Sequence, residues 1–178
     1  MGVKYKYLVG ACFASAYRLL RVFPNSDPLM GFIAPAAKNE PMWKAPLFAF
    51  ATMFIFDFFT SGIGVWTWVT ATTYALVALW LTHSLKGKKS SLSTYASHGA
   101  IGIIAFDIIT GPFMSTFFFG TPFMLTTIAQ VPFTIMHVIS ATFGIAIITP
   151  FYDSAVAKEI SGYFSNAKAT LANLRLVR

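Results

Sequence analysis

Four ionisable side chains stand inside stretches that are otherwise apolar: Arg18, Arg21, Asp57 and Asp107. Charges in such surroundings face one another or an internal cavity, because neither lipid nor a packed core solvates them. Arginine offers a planar fork of donors suited to a carboxylate or phosphate. Two readings follow. In one, the aspartates close ion pairs with the arginines and lock the fold. In the other, an arginine holds a negative group on a ligand. Gln130, Thr134 and His137 follow at spacings of four and three and share one helical face. They suit helix–helix hydrogen bonds or the floor of a binding cavity. Trp66 opens another apolar run and reads either as an interfacial anchor or as a ligand platform. Asn25 lies in the Pro24–Pro28 turn beside Arg21 and joins the candidate binding set.

Several chemistries are excluded. His137 has no second His or Cys at ligand spacing, so no metal site is expected. No HExxH, Gly-rich phosphate loop, Walker motif or Ser/His/Asp context is present, so neither an enzyme nor an ATPase is expected, and no cofactor. A membrane enzyme working through His137 and Asp107 is the weakest reading. One cysteine, Cys12, rules out an internal disulfide. The net charge of +7 comes without basic patches interleaved with aromatics, which argues against nucleic acid.

The elements that position these groups are membrane helices. The chain is 56% apolar, with 19 Phe and 11% charged residues. So few charges cannot cover that apolar surface in water, whereas lipid can. The apolar runs are long and do not alternate, which favours helices over a barrel. The first runs from about Tyr7 to Phe23 and reads as an uncleaved span, since the stretch before Cys12 is too short for a signal-peptide core. A short piece over Leu29–Ala37, containing Pro35, is a half-helix buried against its neighbours. Further segments cover Ala45–Thr60, Val65–His83, Tyr95–Thr110 and Pro122–Thr149. Gly111-Pro112 is expected to end the regular helix of the fifth, leaving 113–120 as an aromatic loop or a continued turn. The expected fold is an all-α membrane bundle of about six segments over residues 1–153. Residues 154–178 form a basic, amphipathic tail, with Val156, Ile160, Phe164, Ala167, Leu171 and Leu174 on one face.

Six crossings put every lysine on one side, giving an expected cytoplasmic N-terminus and C-terminus in the plasma (inner) membrane of a prokaryote. Arg18, Arg21, Asp57 and Asp107 then share the outer half. Gly10, Ala11, Ala14 and Ser15 form a small-residue patch in the inner half of the first span, fit for packing inside the bundle or for docking another subunit.

The stretches RLLRVFPNSDPLMGFIAPAA, FATMFIFDFFTSGIGVWTWVTATTYALVALW, FDIITGP and QVPFTIMHVISATFGIAIITP resemble the substrate-binding (S) components of energy-coupling factor transporters, in a divergent branch. That resemblance implies capture of a small vitamin-like ligand in an outward cavity. It also implies docking on a membrane coupling subunit driven by two ATP-binding cassette ATPases. The family docks through an A-x-x-x-A patch; Gly10 and Ala14 stand at that spacing, with Gly replacing the first Ala. The long loop after the first span, often a lid, is only a few residues here. Members that bind cobalt or nickel use N-terminal histidines, which this chain lacks, so an organic ligand is favoured. The rival reading is a small membrane scaffold whose charges only lock the bundle.

Overall fold

The computed structural model describes residues 3–20 and 28–176. Helices account for nearly all of them: α1 (Val3–Leu20), α2 (Leu29–Asn39), α3 (Lys44–Thr60), α4 (Val65–Leu85), α5 (Leu92–Ile108), a π turn (Ile109–Phe113), α6 (Met114–Phe119), α7 (Phe123–Ile148), a 3-10 turn (Thr149–Phe151) and α8 (Ser154–Leu176). No strand occurs among the described residues.

The outer faces of these helices are apolar. Phe59, Phe117, Leu125, Phe143 and Ile147 are each more than half exposed, as expected of a surface wetted by lipid rather than water. Three rods are long and apolar enough to cross a membrane: Val65–Leu85, Leu92–Phe119 and Phe123–Phe151. The apolar part of α1, Leu8–Leu20, is shorter.

Of the two expectations for 113–120, the continued turn holds and the loop is corrected. Pro112 lacks an amide hydrogen and would break the regular ladder, but the chain widens into a π turn and continues as α6. The rod ends only at Gly120, whose left-handed φ of 67° closes the helix.

The short second helix sits at the centre. Residues 29–37 are all buried, so α2 is a plug rather than a span. Small residues allow the fit: a Cβ on Gly31 would lie 2.4 Å from the Gly144 carbonyl oxygen of α7. Thr149 Oγ1 donates to the Gly31 carbonyl at 3.2 Å and fastens the two helices.

One end of the bundle is tied by polar contacts. Lys38 Nζ donates to the Leu85 and Lys88 carbonyls at the end of α4, where a cation suits the helix dipole. Tyr95 donates to Asp153 Oδ2 at 2.7 Å, and Asn39 Nδ2 reaches the same oxygen at 3.4 Å. The Ala155 amide donates to Asp153 Oδ1. Burial pushes the Asp153 carboxyl up, but hydrogen bonds from Tyr95, Ser90, the Ala155 amide and Asn39 outweigh it and hold the group below the ordinary carboxylate value.

Candidate functional site

Close helix approach builds the site. A Cβ on Gly99 would stand 2.5 Å from Ile145 Cδ1 of α7, and one on Gly102 would stand 2.8 Å from Val77 Cγ1 of α4. These two glycines therefore let α5 lie tightly against both neighbours. Ser91 starts α5 by accepting from the Thr94 amide at 3.1 Å. Toward the far end of the helix, Asp107 meets His137 of α7, which in turn meets Tyr74 of α4.

His137 Nδ1 lies 2.9 Å from Asp107 Oδ1, and His137 Nε2 lies 3.3 Å from the Tyr74 hydroxyl. Tyr74 is 1% exposed, Asp107 2% and His137 4%. The Phe106 ring covers the group, edge-on to His137 at 5.8 Å and tilted on Tyr74 at 4.2 Å. A neutral imidazole with its proton on Nδ1 satisfies both contacts. The Tyr74 hydroxyl then donates to Nε2, and Nδ1–H donates to Asp107. The chain of donors ends on Asp107, whose other oxygen, Oδ2, is buried and has no hydrogen-bond partner among the described residues. A buried acceptor without a donor carries a desolvation cost. Its chemistry is to accept a hydrogen bond or a proton.

The other expected site residues are dispersed. Gln130 is half-buried one helix over from the π turn, and a Cβ on Gly111 would meet its Oε1 at 2.5 Å. Thr134 is half-buried on α7 between Gln130 and His137. Arg18 is half-buried, touching Met53 Sδ and lying 4.6 Å over the Phe56 ring of α3, a cation–π arrangement. Asp57 is buried near the end of α3, where its carbonyl accepts from the Ser61 and Gly62 amides. Among the described residues no ion pair joins Arg18 to Asp57 or Asp107; the latter pairs with His137 instead. Asp107 thus contacts a histidine, while the alternative in which Arg21 meets an aspartate lies outside the described residues. Trp66 is 41% exposed on α4, about two helical turns before Tyr74 and outside the triad. Arg21 and Asn25 lie outside the described residues.

Comparison with protein-family models, with curated proteins and with solved structures returned no match.

Tyr74 escaped the sequence reading. Its signal was available: a tyrosine in mid-helix among apolar residues needs a partner for its hydroxyl. The small-residue patch of α1 faces inward. Ala14 is fully buried, Ala11 packs on the core, and a Cβ on Gly10 would be 2.8 Å from the Phe32 ring of α2. In this conformation α2 already occupies the face expected to receive a partner. A cleft of about 370 Å³ does open between α1 and α7, lined by Phe13, Tyr17, Met136, Ile139 and Phe143. It is apolar. No group of three or more metal-ligating side chains occurs among the described residues.

Proposed function

We propose that this chain is the substrate-capturing membrane subunit of an energy-coupling factor type uptake transporter. It binds a small organic, vitamin-like ligand and relies on a separate coupling subunit and two ATP-binding cassette ATPases. The observation that carries the reading is the unpartnered, buried Asp107 Oδ2 at the end of the Tyr74–His137–Asp107 chain. A ligand donor at that oxygen would offset its desolvation cost. Asp107 also lies in the FDIITGP stretch that carries the family resemblance. A negative group on the ligand would suit Arg18 or Arg21, by guanidinium chemistry. On this reading α1, α3, α4, the α5–α6 rod and α7 cross the membrane, and the plug α2 returns the chain to the side from which α3 starts. The lysine-bearing end, where Lys38 meets Lys88, faces the cytoplasm.

The scaffold reading keeps one observation in its favour: the triad is sealed, with every member at most 4% exposed. A thermal-shift screen of the purified chain against water-soluble vitamins and metabolites separates the two, since a ligand bound only by the folded state raises its melting temperature. The hit is then titrated calorimetrically against wild type and Asp107→Asn. Loss of about tenfold or more in affinity, the scale of one hydrogen bond to a charged group, supports the capture site. Equal affinity removes Asp107 from it.

A further inference from the structure

We infer that the distal half of α8 lies on an anionic membrane surface, with Tyr163 and Phe164 seated at the headgroup boundary. The inference does not depend on what the bundle binds. At 100° per residue, Val156, Ile160, Tyr163, Phe164 and Ala167 fall on one stripe. The sequence continues the same spacing at positions 171 and 174. The near end of that stripe is covered by this chain. Val156 is fully buried, Ile160 packs on the core, and Glu159 Oε2 accepts from the Leu92 amide at 2.8 Å. One turn further on the cover ends: Tyr163 is 64% exposed and Phe164 67%. A helix of 23 residues is roughly 34 Å long at 1.5 Å per residue. Among the described side chains, those that pack on the bundle lie in its first two turns and 161–168 are exposed, so the helix passes beyond the bundle's edge.

What lies under the distal stripe follows from continuity. The stripe that packs at its near end against α5 and the 3-10 turn keeps facing the same way past the edge, and next to a bundle wetted by lipid the neighbour is lipid. Other residues mark the level of that boundary. Phe151, which ends the third long rod, is 80% exposed, and Trp43, at the start of α3, is 62% exposed. Exposed aromatics at the end of apolar helices mark the water–lipid interface. Helix α8 starts three residues after Phe151, so it leaves the bundle at that depth. Charge selects the lipid class. The one acid of α8, Glu159, is engaged with the start of α5, which leaves Lys158, Lys168 and Arg175 as its remaining ionised residues. Such a helix gains from anionic headgroups as well as from apolar burial.

The test uses the full chain in lipid nanodiscs of phosphatidylcholine and phosphatidylglycerol. Cys12, which is exposed, is replaced by Ser, and a single cysteine is placed by Phe164→Cys or, on the opposite face, by Ser165→Cys. Both sites are exposed, so neither substitution disturbs the core. Each is labelled with an environment-sensitive fluorophore. The expected result is that the label at 164 is quenched by lipid-borne nitroxide and is several-fold less quenched by aqueous iodide than the label at 165. Equal iodide quenching at the two positions would overturn the inference. So would shielding of position 164 that appears only when another protein is added, which would make the stripe a protein-docking face.

Discussion

Replacing His137 by Leu tests whether the triad is a coupled unit. The substitution removes the His137 contact from two buried groups at once, Asp107 Oδ1 and the Tyr74 hydroxyl. The cost falls on Asp107, whose buried Oδ1 is left unsatisfied, at about 1–3 kcal/mol. The lower end applies in a membrane, where the unfolded reference also finds polar partners. Adding Asp107→Val removes the stranded carboxylate, so the double variant should recover most of that loss and melt above the His137→Leu single variant. The assay is thermal unfolding of the purified variants in one detergent, followed by tryptophan fluorescence. A single variant that melts with wild type, or a double variant that melts below the single, would refute the coupling.

Three further outcomes follow from the packing. Gly31→Ala should cost about 1–3 kcal/mol or more by overpacking, because its Cβ would meet the Gly144 backbone at 2.4 Å; denaturant unfolding measures it. Ala14→Leu should destabilise the bundle itself by about 1–3 kcal/mol, since Ala14 is fully buried, and its melting temperature should fall even without any partner. Asp153 is held below the ordinary carboxylate value, so its stabilising contribution is fully present above the unfolded value of about 3.9 and is lost as pH falls through the lower folded value. Melting temperature should therefore fall with acidification across that window, and Asp153→Asn should flatten the curve.

The all-helical class was legible because apolar run length is a local property. The buried half-helix was legible for the same reason: Leu29–Ala37 is too short to span and carries no charge, and it became the plug α2. In sequence the stretch after Gly111-Pro112 stays open between a loop and a continued turn because a proline usually ends a helix; a π turn absorbs it, and only the neighbouring helices decide whether that is possible. The pairing of Asp107 depended on distance in three dimensions. Depth alone made Arg18 a candidate partner, but Gly99 and Gly102 draw α5 against α7 and α4, and so give Asp107 to His137. Tyr74 was missed because a hydroxyl on an aromatic ring reads as apolar in a periodicity count. The inward turn of Ala14 was not readable either, since a small-residue stripe looks the same whether it faces α2 or another subunit.

The central claim is that this chain works as one subunit of an energy-coupled uptake complex. Its most direct test is gentle solubilisation of the chain, affinity-tagged at the C-terminus, from the membrane in which it is naturally produced, followed by mass spectrometry of what co-purifies. The account predicts a membrane coupling subunit together with two ATP-binding cassette ATPases, in constant proportion to the tagged chain. A chain that leaves that membrane without any ATPase, while remaining folded by its melting temperature, would contradict it.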